Sequence, residues 1–142
     1  MDQKLFHRLL GMFEFKKDYQ QRSSGLNYMQ LHVLERIYKE GEMRTLDISR
    51  QMNISPSTLI GVLDELESKE LINRDRQKND KRVVMVTVSE KGREKVLHHI
   101  REDELFLKKL TAGLNKDEEL QFDELIRKIT RSIGDYDDLF NE

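Results

Sequence analysis

The sequence predicts a mainly α-helical protein with one small β hairpin, and three observations support this fold class. Apolar residues recur at helical spacing in long segments at both ends of the chain. Only residues 71–88 change to short runs of β-branched residues around a polar loop. Hydrophobic and charged residues each make up 37% of the chain, a balance typical of a soluble, strongly helical protein. With 142 residues, residues 1–142 are expected to form a single domain.

Two amphipathic helices are expected at the start of the chain. Residues 4–21 place leucine and phenylalanine side chains mostly at helical spacing, and this helix is expected to end near Gly25. Asn27 and Gln30 have the spacing of a capping box, which predicts the start of the second helix. Gly41 follows the last apolar position and is expected to end that helix.

A short third helix and a fourth helix are predicted on either side of Asn53. Thr45 is a suitable N-cap for the third helix, and Asn53 interrupts its pattern. Ser55 and Pro56 mark the sharpest boundary in the chain, because a capping hydroxyl followed by proline at the first helical position starts a helix without losing a useful N–H. The fourth helix is then expected to run to about Lys69.

The fourth helix separates a buried face from an exposed face. Its predicted buried residues are Leu59, Val62, Leu63 and Leu66. Its predicted outward residues are Ser57, Thr58, Gly61, Asp64 and Ser68. Small residues near the helix start allow another molecule to approach closely, and the unpaired N–H groups there can receive a phosphate.

A β hairpin is predicted after the fourth helix. Its strands are expected at residues 71–76 and 83–88, and the loop at residues 77–81 is polar and turn-prone. Two strands are only marginally stable alone, so the hairpin must pack against the helices. Ser89 is expected to cap a fifth helix that runs to about Leu110.

Asn115 and Glu118 form a second capping box, which predicts a sixth helix. Its apolar face contains Phe122, Leu125, Ile126, Ile129, Ile133 and Tyr136. The terminal helices carry more apolar surface than so small a chain can cover alone. We therefore expect a homodimer in which these helices pack across a two-fold axis. The residues expected at that interface are Phe6, Leu9, Leu10, Phe13, Ile129, Ile133 and Tyr136.

The order of elements over about residues 28–88 is that of a winged helix-turn-helix. Two short helices with a tight connection are followed by a basic hairpin. In this fold the second helix enters the major groove of DNA, while the hairpin, or wing, reaches along the backbone or into a flanking minor groove. The segments at about residues 2–22 and 89–140 are expected to form the dimerisation part.

Charge is distributed unevenly along the chain. The whole chain has a formal net charge of −2, with 25 basic and 27 acidic residues. Residues 69–95 contain nine Lys and Arg against five acidic residues, a net +4, whereas residues 96–142 contain seven against twelve, a net −5. A local basic stretch is what attracts a polyanion, although it also fits an ordinary solvated surface.

Several classes of protein are disfavoured by the composition. No apolar run approaches the roughly 18 residues of a membrane span, and the N-terminus lacks a signal-peptide core, so a cytoplasmic location is expected. The chain contains no cysteine, which excludes disulfides and thiolate metal sites. No glycine-rich phosphate loop, nucleophile elbow or paired His/carboxylate motif is present, so we expect neither an enzyme nor a bound cofactor.

Five short motifs together resemble the MarR (multiple antibiotic resistance) family of regulators. They are LDI at 46–48, STLIGVLDELE at 57–67, LINR at 71–74, NDKR at 79–82 and TVSEKG at 87–92. Each motif is only moderately specific, but their order and spacing together are strong evidence, and the resemblance extends over nearly the whole chain. The resemblance implies a homodimeric repressor that binds double-stranded DNA at a near-palindromic operator. In this family a small-molecule effector often loosens binding from a site between the DNA-reading and dimerisation parts.

The same resemblance implies the residues of the DNA site. By this resemblance, Arg82 at the wing tip inserts into the minor groove, and Asp80 holds the Arg82 side chain in place. The helix-turn-helix contact set is Thr45, Ser55, Pro56, Ser57, Thr58, Ile60 and Gly61. The expected phosphate partners are Arg44, Arg50, Arg74, Arg76 and Lys81. Because the base-facing positions include no Arg, Asn or Gln, direct base readout is expected to be modest, with much of the specificity coming from DNA shape.

Two alternative functions stay open at this point. A winged-helix module can serve protein–protein contact alone, and a wing without clustered cations would favour that interpretation. A metal-responsive regulator would need His32, His98 and His99 to approach one another through packing of the second and fifth helices. Adjacent histidines on a helix point in different directions, so His98 and His99 are not a chelating pair by themselves, and no metal site is expected.

Overall fold

Helices dominate the fold, and a small antiparallel sheet accompanies them. A computed structural model describes residues 1–133, which contain six helices and three strands. In chain order these are α1 Gln3–Ser24, α2 Tyr28–Glu40, β1 Glu42–Arg44, α3 Thr45–Gln51, α4 Pro56–Ser68, β2 Ile72–Arg76, β3 Val84–Val88, α5 Glu90–Leu110 and α6 Lys116–Ser132. The expected fold class, mainly α with a small hairpin and a winged helix-turn-helix, is confirmed.

The chain divides into two compact units, Met1–Asp103 and Glu104–Glu142. The first unit holds the hydrophobic core, to which α2, α3, α4 and the sheet all contribute. Its most deeply buried side chains are Leu26, Val33, Leu34, Ile37, Ile48, Leu59, Leu63, Leu66, Leu71, Ile72, Val86 and Val96. That residues 1–142 form a single domain stays a prediction.

Local capping explains where the helices begin. Asn27 and Gln30 form the expected capping box at α2, and the Ser55 hydroxyl accepts the N–H of Thr58 at the start of α4. The Ser89 hydroxyl accepts the N–H of Gly92, which caps α5. These contacts lie within three residues of each other in sequence and satisfy donors that a helix start leaves unpaired. The predicted starts of these helices are therefore confirmed.

The sheet has three strands in the order β1-β3-β2, all antiparallel, where the sequence predicted two. Met43 of β1 pairs with Val86 of β3, and Ile72 of β2 pairs with Val88. The sequence did not predict strand β1, because the strand is three residues long and Met43 is its one apolar side chain. So short a run is too brief for its alternation to be recognised. It forms because β3 offers a hydrogen-bonding edge that lies far away in sequence.

The expected role of Thr45 as a helix cap is wrong. Thr45 is the first residue of α3, and Arg44 stands at the N-cap position without a side-chain hydrogen bond to the helix. Arg44 also pairs with Met85 in the sheet. Because that pairing holds the backbone of Arg44 extended at the N-cap position, the helix starts at Thr45, one residue earlier than a Thr45 cap would place it.

The second unit contains α6 and the C-terminal end of α5. Asn115 and Glu118 form the predicted capping box of α6. No residue of α6 is buried, and Leu125, Ile126 and Ile129 expose 56%, 43% and 51% of their surface. Tyr136, predicted on the same face, lies outside the described residues. Among residues 1–133, no helix combines the length and apolar character that a bilayer crossing requires.

Gly92 permits the close packing of α5 against the residue that precedes β2. A Cβ atom at this position would lie 2.1 Å from the Leu71 carbonyl oxygen and 2.8 Å from a Val88 methyl carbon. Gly61 in α4 offers a contrast, since a Cβ there would have no neighbour within 4 Å.

We expect Gly92→Ala to destabilise the fold by about 1–3 kcal/mol, because backbone must move to admit the methyl group. Gly61→Ala is the matched control, and it should leave stability unchanged or raise it by up to about 1 kcal/mol through better helix propensity. Urea unfolding of both variants and the parent measures the difference. Equal stability of the two variants would contradict the packing argument.

Candidate nucleic-acid interface

The connection between α3 and α4 is held rigidly by backbone and side-chain hydrogen bonds. The buried Ser49 hydroxyl donates to the Ile54 carbonyl at 2.6 Å, and the Ile54 N–H donates to the Ser49 carbonyl at 3.0 Å. Asn53 takes the left-handed backbone conformation, with φ of 51°, which asparagine tolerates better than most residues. The turn therefore fixes where Ser55 and Pro56 start α4.

The outer face of α4 carries the residues that the sequence placed there. The predicted outward residues are all exposed: Ser57, Thr58, Gly61, Asp64 and Ser68. Ile60, which the family resemblance added to the contact set, is exposed as well. On the opposite face Leu59, Leu63 and Leu66 are buried in the core, while Val62 is half-buried. The predicted buried stripe is thus confirmed, with Val62 at its edge.

Hydroxyl groups at the start of α4 bond mainly to one another. The Ser55 hydroxyl donates to the Thr58 hydroxyl at 2.8 Å and accepts the Thr58 N–H at 3.2 Å. The Ser55 and Ser57 hydroxyls are 3.3 Å apart. Pro56 is exposed at the first helical position. The helix therefore begins with an exposed surface of small side chains.

The sheet register brings two predicted phosphate partners to the same end of β3. Arg44 in β1 stands opposite Met85, and Arg76 in β2 stands opposite Val84. Both arginines are exposed, one on each side of β3 at the end nearest the loop. Arg50, also exposed, lies in the last turn of α3.

The wing loop is closed by Asp80. The Asp80 carboxylate accepts the backbone N–H of Arg82 at 2.9 Å, and the Asp80 carbonyl accepts the N–H of Val83 at 3.0 Å. The expectation placed Asp80 against the Arg82 side chain, whereas the contact in the structure is to its backbone. Asp80 therefore shapes the loop that presents Arg82.

Most of the predicted cations have no acidic partner within residues 1–133. Five exposed cations take part in none of the ion pairs within the described residues: Arg44, Arg50, Arg76, Lys81 and Arg82. We call these five side chains, together with exposed residues 55–58, 60 and 61 of the α4 start, the candidate interface. Unpaired cations in the same unit as an exposed helix start are a suitable arrangement for holding phosphates. Thr45 is half-buried.

Arg74 differs from the other predicted cations because two carboxylates of α4 hold it. Its guanidinium lies 2.6 Å from Asp64 and also contacts Glu67. Partial burial lowers the pKa of Arg74, but the hydrogen bonds to Asp64 and Glu67 outweigh burial and raise the pKa above its ordinary value. Arg74 thus joins β2 of the wing to α4. Sequence reasoning missed this role because the partners lie seven and ten residues away, across two elements.

The histidines approach one another in part. The rings of His32 and His99 have centroids 6.4 Å apart, whereas His98 points elsewhere and lies near Glu102. Burial lowers the pKa of His32, and the charge of Glu35 opposes this shift. Within the described part of the chain no group of His, Asp and Glu side chains has a geometry that could hold a metal ion. The metal-responsive alternative gains no support.

His99 instead belongs to a hydrogen-bonded cluster that joins α1 to α5. The Gln20 amide donates to His99 Nδ1 at 3.0 Å and to the Asp103 carboxylate at 2.6 Å, and Lys16 pairs with Asp103 at 2.6 Å. Burial raises the pKa of Asp103, but the hydrogen bonds from Lys16 and Gln20 outweigh it and hold the pKa below its ordinary value.

The helix-turn-helix, the three-stranded sheet and the exposed wing define a winged helix-turn-helix protein. The model of the MarR family matches residues 26–84 of this chain. The predicted resemblance to this family is confirmed.

Two relatives from Bacillus subtilis are transcriptional regulators of the helix-turn-helix type. The regulator YdgJ is 25% identical over 111 residues, which cover 78% of this chain and 68% of YdgJ. The transcriptional repressor MdtR is 26% identical over 108 residues, which cover 76% of this chain and 70% of MdtR.

A solved structure of Streptococcus pneumoniae FabT in complex with DNA has the same fold. The TM-score is 0.78 at 20% identity, and the match covers 92% of this chain and 96% of the FabT chain. The family and the relatives are transcriptional regulators rather than enzymes.

We expect Arg74→Gln to loosen the wing, since it removes both ion pairs to α4. The pairs are partly exposed, so the loss of stability should be about 1 kcal/mol and should shrink in high salt. Hydrogen exchange in β2 and β3 should speed up by more than the change in global stability explains. Arg76→Gln is the matched control on the same strand, and it should change neither quantity because Arg76 has no described acidic partner.

Proposed function

We propose that this protein is a sequence-specific transcriptional regulator that binds double-stranded DNA as a homodimer and acts as a repressor on a near-palindromic operator. The observation that carries the proposal is the candidate interface itself. An exposed helix start rich in small residues stands in the same unit as five exposed cations without described acidic partners. In the proposed complex α4 enters the major groove and the wing reaches the adjacent minor groove.

The printed names of related proteins support the DNA and repressor parts of the proposal. FabT, which shares the fold, has been solved with DNA bound, and MdtR is a transcriptional repressor. The net charge of −2 does not oppose DNA binding, because the acidic excess lies after residue 95 while the basic stretch lies in and around the wing. A regulator that binds chromosomal DNA acts in the cytoplasm, so that location is part of the proposal.

Exposed apolar side chains on the terminal helices support the homodimer. On α1, Leu5, Phe6 and Leu10 expose 63%, 45% and 43% of their surface. On α6, Leu125 and Ile129 each expose more than half. Apolar surface of this extent on one helix is typical of an interaction site. Two copies related by a two-fold axis would cover it and would place two recognition helices about one helical turn of DNA apart, roughly 34–36 Å.

The proposal includes release from DNA by a small-molecule effector, which the resemblance to the MarR family supports. A screen of small molecules for loss of operator binding tests this part separately from DNA binding.

Removal of residues 1–12 should prevent dimer formation, because it deletes the exposed apolar residues of α1 ahead of Phe13. The deletion keeps Lys16 and Gln20 and hence their contacts with Asp103. The first unit should therefore stay folded while the protein becomes monomeric or aggregates. Sedimentation and circular dichroism measure the two properties. A folded dimer with unchanged DNA affinity would contradict the proposed interface.

Arg82→Ala should weaken operator binding by on the order of a few kcal/mol per dimer, because a guanidinium inserted in a narrow minor groove meets an enhanced negative potential in both copies. Arg82→Lys should restore binding only in part, since an ammonium is harder to dehydrate and lacks the planar fork. Asp80→Ala should reproduce some of the defect by loosening the loop that the Asp80 carboxylate closes. Salt titrations of operator binding measure all three variants.

Lys116→Ala is the control for the wing variants. Lys116 lies in the acidic C-terminal part of the chain, where its side chain is 84% exposed, so operator affinity should hardly change. Dimer mass is measured in parallel for every variant. If Arg82→Ala binds as tightly as the parent at every salt concentration, the wing does not insert, and the protein-contact alternative becomes the better reading.

A further inference from the structure

Ile60 is a large apolar side chain at the centre of the outer face of α4. It exposes 57% of its surface, although the neighbouring Leu59 on the other face is buried. Ser57 precedes it by one helical turn, and Asp64 follows it by one turn. A single exposed apolar side chain is ordinary on a protein surface, so the exposure of Ile60 gains meaning only from its neighbours on this face.

The residues around Ile60 offer few groups that could read hydrogen-bonding base edges. The Ser55 hydroxyl donates to the Thr58 hydroxyl, and the Ser57 hydroxyl also lies within bonding distance of Ser55. No long amide or guanidinium side chain occurs between residues 55 and 61. The largest exposed side chain between residues 55 and 61 is therefore that of Ile60, which is apolar.

Gly61, beside Ile60, shows that this face is open to close approach. Glycine is a poor helix former, yet a Cβ at Gly61 would meet no atom of the protein within 4 Å. Packing within the protein therefore gives no reason for glycine at this point of α4. Close approach of an external surface to the helix backbone does.

We propose that Ile60 recognises the 5-methyl group of a thymine in each half-site of the operator. This inference rests on the proposed DNA-binding function and deepens it by naming what the recognition helix reads. The thymine methyl is the apolar group on the major-groove edge of the standard base pairs, and cytosine and the purines lack it. An apolar side chain that approaches this edge therefore selects T over C without a hydrogen bond.

The size of the effect follows from burial of one methyl group. Such a burial changes affinity by about fourfold per contact, and two half-sites together give about fifteenfold. This is large enough to measure and small enough to agree with the modest direct readout expected of this helix.

The test uses the full-length protein and duplex DNA enriched by that protein from a random library. Each thymine of the enriched sequence is replaced singly, and then in both half-sites, by deoxyuridine, which removes the methyl group and keeps base pairing. At one thymine per half-site the parent should lose about fourfold in affinity, and about fifteenfold for the double replacement. Ile60→Ala should bind the thymine and deoxyuridine DNAs with equal affinity, and Ile60→Val should lie between.

Leu46→Ala provides the matched control. Leu46 is also exposed, at 52%, but it lies in α3, so this variant should keep the parent's ratio of thymine to deoxyuridine affinity. Circular dichroism is used to check that Ile60→Ala is folded, which we expect because the Ile60 side chain is exposed. Parent insensitivity to every replacement, or equal sensitivity of Ile60→Ala, overturns the inference while DNA binding itself stands. Failure to enrich any DNA overturns both the inference and the proposed function.

Discussion

Burial of Leu59, Leu63 and Leu66 is the constraint on which the candidate interface depends. Each is at most 2% exposed, and burying a leucine contributes roughly 1.5–3 kcal/mol. Because the three share one face of α4, they fix the rotation of the helix as well as its position. The outer face, with Ile60 and Gly61, is consequently presented to solvent. The hydrogen bonds of Ser49 to Ile54 then decide where along the core this helix begins.

Electrostatic pairing divides the arginines of the wing into two kinds. Arg74 lies on the same face of the sheet as buried Val86, and it reaches Asp64 and Glu67 of α4. These ion pairs balance the charge of Arg74, so Arg74 links the wing to the helix. Arg82 stands at the end of the loop that the Asp80 carboxylate closes, and no acidic residue of the described chain pairs with it. A charge left unpaired in this way can interact with a polyanion at little desolvation cost.

The cluster of Gln20, His99 and Asp103 holds α1 in place, as Arg74 holds the wing. It joins the C-terminal half of this helix to α5 through hydrogen bonds that satisfy buried polar groups. Lys16 adds an ion pair on the same side. The apolar side chains before Phe13 take no part in this cluster, and they remain exposed within the first unit. One helix thus carries an inner anchor and an outer apolar surface.

The sequence by itself determined the starts of α2, α4, α5 and α6 and the outer face of α4. Ser55, Ser89 and Asn115 act on donors within three residues, and helical periodicity is equally local, so both can be recognised without a fold. The family's order of motifs likewise pointed to Arg82 and the wing. Only the tertiary structure decided that β1 exists, that Thr45 starts rather than caps α3, and that Arg74 is bound to Asp64. These features depend on pairing between segments far apart in sequence, where a residue's partner is chosen by the packed core and leaves no local pattern to recognise.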